Sequence, residues 1–382
     1  MRTVHPSTMI GAYSFEQDRV PRDEFQIRMR ALHAIMDRKG CAAILIYGDA
    51  REHSDLAYCT NFIPRHRWAL ALLPRQGEPR LLVSMSSRDM PAQRLMTWIP
   101  EVMSAWTWET AFDPWLAALK ADAPAKIGTV RFDLMRPVLY SSIEKSLGNR
   151  FGLVDVDSEV RARTTRPREL SLVRDACAVA RSGAAYFLQA WHDGAGCETA
   201  ALAGERRARA MAAQDARTLV SFDDGRTLAP FRGAFAPKPA GAQLLGYIAV
   251  KHRGYWAESF VAAAERPSEL SKRVEAGLTA ALRLAGPGVS AAAVFAAATA
   301  PLGTHALHPA LSGSIGRRIG ISAHEGGEIT RDAGHVLAAG DIYALHVGAS
   351  DGSAGTVASA MAAITQKGSE LLLRSPQVWV EP

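Results

Sequence analysis

Hydrophobic positions along this chain recur with two alternating periods. The first 20 or so residues show no clear period, and then Phe25, Met29, Leu32, Ile35 and Met36 step by three and four, as on one face of a helix. The run Cys41-Ala-Ala-Ile-Leu-Ile-Tyr47 is continuously apolar and stops at Gly48-Asp49, which predicts a strand buried on both faces. Further strands are expected at Trp68–Leu73, Arg80–Val83, Lys126–Val130 and Leu153–Val156, with helices near Asp113–Leu119 and Pro137–Leu147 between them. Alternation of this kind predicts an α/β domain over about residues 20–157.

A connector follows, Val160-Arg-Ala-Arg-Thr-Thr-Arg-Pro-Arg-Glu169. Pro167 suits a first helical position, and Glu169 falls in the first turn, where the helix dipole favours an acid. Leu170, Val173, Cys177, Ala180, Ala184 and Phe187 then predict one long amphipathic helix, Leu170–Trp191. After it come helices at Cys197–Ala213, Leu270–Leu284 and Ala291–Ala300, with strands between and beyond them. Two of those strands, Leu244–Val250 and Tyr255–Val261, form a hairpin joined by Lys251-His-Arg-Gly254. With His252 and Arg253 at its tip, Val250 pairs with Tyr255 and Tyr247 faces Glu258. The division expected is residues 1–160 and 161–382.

Composition narrows the class. A chain of 382 residues is long for one core, and 48% hydrophobic with 21% charged residues is a water-soluble balance. No apolar run approaches the roughly 20 residues that span a bilayer, and the first residues carry no apolar signal core. Cys41, Cys59, Cys177 and Cys197 are far apart, which fits reduced thiols in the cytoplasm. The net charge of +6 has its sharpest cluster at Arg161, Arg163, Arg166 and Arg168, in the connector and without interleaved aromatics, so no nucleic-acid partner is expected.

The hairpin Gly246-Tyr-Ile-Ala-Val-Lys-His-Arg-Gly-Tyr-Trp-Ala-Glu258 resembles the first metal-binding hairpin of the pita-bread fold, the family of creatinase, aminopeptidase P, prolidase and methionine aminopeptidase (peptidase family M24). Gly313-Ser-Ile-Gly-Arg-Arg-Ile-Gly-Ile-Ser-Ala-His-Glu325 is similar to that family's glycine-rich strand, Leu337–His346 to the stretch ending in a liganding Glu, and Ser359–Leu371 to its closing strand. Order and spacing agree, as does the helix opening with Pro-x-Glu. The resemblance implies a creatinase-type α/β N-terminal domain and an α+β pita-bread C-terminal domain, assembled as a homodimer.

In that family two Asp, one His and two Glu hold two metal ions. The matching positions here are Tyr247, Glu258, Arg317, His346 and Ser359, so only Glu258 keeps a carboxylate. Arg317 would place a permanent cation where divalent ions belong. The chain therefore reads as a degenerate member with no metal or other cofactor. A single-metal site on Glu258, His324 and His346 is the exception to be tested. His324 falls where the family has a substrate-facing histidine.

These residues imply metal-free acid–base catalysis. Glu258, His324 and His346 are the candidate catalytic groups, and Arg317, Tyr247 and Arg232 the candidate substrate-binding groups. The activity expected is that of a creatinase-like hydrolase or lyase acting on a C–N bond of a small amino-acid-like or peptide-like carboxylate. Two other readings stand beside it. One is a catalytically silent binding module in which Glu258 and Arg317 merely pair; the other is a single-metal Xaa-Pro-type hydrolase. No membrane partner is expected.

Overall fold

The apolar run that begins at Cys41 forms strand β1 (Cys41–Asp49), inside a six-stranded sheet, in a computed structural model that describes residues 15, 18–65, 67–119 and 124–379. The other strands of this sheet are β2 (Trp68–Pro74), β3 (Arg80–Val83), β4 (Glu101–Ser104), β5 (Ala125–Val130) and β6 (Phe151–Asp155), in the order β4-β3-β2-β1-β5-β6. β1 runs parallel to β5 and antiparallel to β2. Alternate residues of β1 explain its continuous hydrophobicity. Ala43, Leu45 and Tyr47 join Phe112, Trp115, Ile143 and Leu147 in one core, while Ile44 and Ile46 are equally buried on the other face. Helices Trp108–Ala118 and Pro137–Leu147 supply that first core; the former begins earlier than the apolar spacing predicts. Most of the aperiodic first 20 residues lie outside the described residues.

The chain divides after Arg163 into two compact units. The second opens with helix Pro167–His192, which has Pro167 at its first position and Glu169 accepting the Arg166 N–H at 3.0 Å. The same carboxylate accepts the Tyr255 hydroxyl at 2.9 Å, so the start of the helix is tied to the hairpin. Helix Cys197–Ala210 crosses it where Gly183 meets Gly204; a Cβ on Gly204 would stand 2.8 Å from the Gly183 carbonyl oxygen.

Two sheets complete this unit. One contains β7 (Asp215–Val220), β8 (Leu244–His252) and β9 (Tyr255–Ala264), with β15 (Gln377–Trp379) on its edge, in the order β15-β9-β8-β7. The other contains β10 (Ala306–Leu307), β12 (Ile342–Ser350), β13 (Gly355–Thr365) and β14 (Gly368–Arg374), with β11 (Gly316–Arg318) also paired to β12. Helices Glu269–Leu284 and Ala291–Thr299 bury Leu278, Val294 and Phe295 against β12 and β13. The two sheets meet along β9 and β13, where the Phe260 N–H donates to Ser359 Oγ at 2.8 Å.

The hairpin differs from its expected register. His252 pairs with Tyr255, Val250 with Ala257, and Tyr247 with Phe260. Only Arg253 and Gly254 form the turn, at φ 49° and 88°. A two-residue turn of this hand needs positive φ at both positions, which glycine tolerates best. The slip is two residues, so every side chain stays on its predicted face. Tyr247 lies diagonal to Glu258 and still reaches it through its long side chain. Among the described residues the four cysteines carry free thiols, and no helix is long and apolar enough to cross a membrane.

Gly246, next to Tyr247 in β8, lets the helix lie close to the sheet. A Cβ there would stand 2.4 Å from Cζ of the buried Phe187 ring. Gly246→Ala should therefore cost about 1–3 kcal/mol in denaturant unfolding; an unchanged midpoint would contradict this packing.

Candidate active site

Four strands deliver one side chain each to a single buried point. Glu258 comes from β9 and its side chain is 0% exposed. Tyr247 of β8 donates its hydroxyl to Glu258 Oε2 at 2.6 Å, and Arg317 of β11 donates Nη2–H to the same oxygen at 2.7 Å. His346 of β12 places Nε2 2.8 Å from Glu258 Oε1, yet neither of these two atoms has an aligned hydrogen-bond partner. The Phe260 ring lies between, with its centroid 5.1 Å from both the Tyr247 ring and the His346 ring.

The charges of this cluster are set by their neighbours. Burial raises the pKa of Glu258, but the His346 imidazole, the Arg317 guanidinium and the Tyr247 phenol outweigh it and hold the carboxyl below its ordinary range. For Tyr247, burial and then the Glu258 charge push the phenol well above its usual value, so it remains a hydrogen-bond donor. Burial works against the Arg317 cation, but Glu258, Tyr247 and Glu328 more than compensate and raise its pKa. The pair is thus a carboxylate and a guanidinium at neutral pH.

This donor set does not fit the two-ion centre that the resemblance implies. Hard divalent ions need several anionic oxygens. Here one carboxylate is present, its Oε2 is occupied by a guanidinium, and the Ser359 hydroxyl is engaged with the Phe260 N–H. Among the described residues no three His, Cys, Asp or Glu side chains are grouped to hold a metal, so Glu258, His324 and His346 do not assemble the single-metal site either.

Beside the cluster lies a cavity of about 490 Å³. Leu219, Leu228, Phe260 and Leu311 make its apolar wall, and Tyr247, Arg317, His324, Glu328 and His346 make its polar one. Glu258, an expected catalytic group, is not among the residues lining the cavity, and its side chain is 0% exposed. Arg317 does face the cavity, 23% exposed. Its Nε–H donates to the Ala323 carbonyl at 3.0 Å.

His324 stands at the rim, with Nε2 2.8 Å from Glu328 Oε1. Arg232, expected at the site, is not among the residues lining the cavity. Its guanidinium lies over the Phe222 ring, 3.9 Å from the centroid, and its backbone N–H donates to the buried Glu198. Glu198 also accepts the N–H groups of Gly233 and Phe235 at 2.8 Å each, which fixes that loop. Sequence reasoning misses Glu328. The signal for it is present in Gly326-Gly327, a turn that returns the chain toward His324.

Comparison with known proteins places the fold. The family model described as the Creatinase/Prolidase N-terminal domain matches residues 28–163, and that described as metallopeptidase family M24 matches residues 171–366. No curated protein matches the chain. Among solved structures, the prolidase from Pyrococcus horikoshii OT3 is 16% identical with a TM-score of 0.77, covering 93% of this chain and 100% of that one. The X-Pro aminopeptidase from Thermotoga maritima MSB8 is 18% identical with a TM-score of 0.75, covering 92% and 99%. The Xaa-Pro dipeptidase from Bacillus anthracis is 16% identical with a TM-score of 0.73, covering 94% and 100%. At these identities the likeness is one of fold: a creatinase-type N-terminal domain followed by a pita-bread domain.

The cluster makes a stability prediction. Arg317→Ala strands the Glu258 charge in a buried place and should cost about 3–5 kcal/mol on unfolding; a loss under about 1 kcal/mol would mean that solvent already screens the pair. Because folding lowers the Glu258 pKa, its contribution is full above the unfolded value of about 4.3. It is lost as pH falls through the lower, folded value. In Glu258→Gln that acid-side loss of stability should be smaller than in the parent, as read from unfolding midpoints across the acid range.

Proposed function

The chain belongs to metallopeptidase family M24, and within it we propose a metal-independent enzyme acting on a C–N bond of a small amino-acid-like or peptide-like carboxylate. The observation that carries this reading is the division of labour around one cavity. Arg317 turns a cationic edge and His324 a titratable ring toward the space, while Glu258 is held behind them as the counter-ion. A substrate carboxylate would take the open side of the guanidinium, which is a strong charge-assisted contact. His324 would move the proton. Tyr247 and His346 wall the same space, and Glu258 acts through Arg317 and Tyr247 without touching substrate. The apolar wall would receive the rest of the ligand. The reading extends to a homodimer, as the family resemblance implies.

One observation favours a second reading, a silent binding module. The 2.7 Å contact between Arg317 and Glu258 already answers the cation, as a purely structural pair would. The third reading, a single-metal Xaa-Pro hydrolase, draws on the similarity to proteins described as prolidase and Xaa-Pro dipeptidase, and the donor set counts against it.

The test is a screen of imidodipeptides, amides and amidines on purified protein, with and without chelator, together with elemental analysis. Turnover should survive chelation and be abolished in His324→Ala, whose exposed side chain keeps the change in stability within about 0.5 kcal/mol. Turnover that appears only with added manganese or zinc would replace this reading by the hydrolase. Ligand binding without turnover would replace it by the module.

A further inference from the structure

We propose that Glu328 is a positioning residue that fixes the tautomer of His324, so that the two form the proton-accepting element of the cavity. This rests on the reading of the cavity as a catalytic site and adds to it a residue that acts through its neighbour.

The pair is built by the backbone rather than by chance proximity. It is spaced by four residues but lies on no helix. The chain leaves β11 at Arg318, passes a short tip and returns beside the strand it left. The Glu325 N–H donates to the Arg318 carbonyl at 3.0 Å, the Arg318 N–H to the Gly326 carbonyl at 2.9 Å, and the Ile329 N–H to the Gly316 carbonyl at 2.8 Å. The return needs Gly326 and Gly327 at φ 75° and 65°, where any other residue is strained. A Cβ on Gly327 would also stand 2.9 Å from Arg318 Cγ. These bonds set Glu328 opposite the β11 segment that carries Arg317.

The tip is tied to the substrate-facing cation as well. The Ala323 carbonyl accepts the Arg317 Nε–H at 3.0 Å, and the His324 N–H donates to Ser322 Oγ at 3.2 Å. One guanidinium therefore places both the carboxylate-binding edge and the loop that bears the imidazole.

The consequence is chemical. His324 and Glu328 are 55% and 52% exposed, and such a pair adds only about 0–1 kcal/mol to a fold. Its effect falls on the ring. With Oε1 accepting from Nε2–H, the neutral imidazole is held with its lone pair on Nδ1. A proton from water or from a substrate N–H passes to Nδ1, its bonding electrons stay on the atom it leaves, and the imidazolium formed gains the Glu328 charge as partner.

The experiment uses the full chain labelled with 15N-histidine, the His324 signal being the one lost in His324→Gln. Long-range 1H–15N spectra should show one tautomer, Nε2–H, in the parent and both tautomers in Glu328→Ala. In Glu328→Gln the amide oxygen still accepts, so the tautomer should persist. With any substrate from the screen, kcat in Glu328→Ala should fall about tenfold or more at nearly constant KM. A mixed tautomer in the parent, or an unaltered ring in Glu328→Ala, would overturn the proposal. The spectrum needs no substrate, so an empty screen would count against the enzymatic reading while the ring signal still decides the pair.

Discussion

A carboxylate with no solvent contact needs an answering charge, and the rest of this site follows from where that charge comes from. Glu258 lies on β9 of one sheet, and its cation, Arg317, lies on β11, which belongs to the other. Tyr247 and His346 repeat the arrangement, one from each sheet. The pair therefore spans the junction where the Phe260 N–H already meets Ser359. Replacing a buried ion pair by apolar side chains is often neutral for stability, whereas removing one member is costly. What the pair enforces is register. A one-residue slip of β9 would turn Glu258 to the opposite face and leave two charges without partners.

The same geometry separates family membership from chemistry. Solved relatives cover more than nine-tenths of this chain at 16–18% identity, so the backbone has been kept while most side chains have changed. Family membership fixes where a site lies; the side chains at that place decide what it does. Here the five positions that the resemblance assigns to metal ligands hold one anion, one permanent cation, a phenol, an imidazole and a hydroxyl engaged with backbone. The positive charge that the carboxylate requires is thus covalently attached to the chain.

Much of this is legible in the amino-acid sequence alone. Continuous apolar runs locate β1 and β2, and Pro167 with Glu169 marks the start of the long helix, because these signals are local. The hairpin lies where its two apolar runs predict it, but its register differs by two residues. The choice between a two-residue and a four-residue turn depends on Arg253 adopting positive φ, which its side chain does not announce. The grouping of Tyr247, Glu258, Arg317 and His346 comes from the order of motifs along the chain. Two features are not local and escape such a reading. Whether Glu258 reaches the cavity depends on neighbours from other strands, and Arg232 is held on a loop fixed by Glu198 from a different helix. Glu328 is hidden differently, since a glutamate after two glycines reads as a solvated turn until the return of the chain is seen.

Pairing with Glu258 also shapes what Arg317 can bind. A guanidinium already paired attracts an anion less strongly over distance than a free one, because its field is partly cancelled. It is, however, held by Glu258 through Nη2 and by the Ala323 carbonyl through Nε, so little side-chain freedom is left to lose on binding. On the proposed reading, such a group would favour a ligand whose carboxylate arrives in one orientation and whose apolar part reaches Leu219, Leu228 and Leu311 across the cavity. An anion without that apolar part meets only the weakened charge. On the proposed reading, selectivity in this cavity would arise from the apolar wall and the fixed direction of one N–H edge, and net attraction between charges would contribute less.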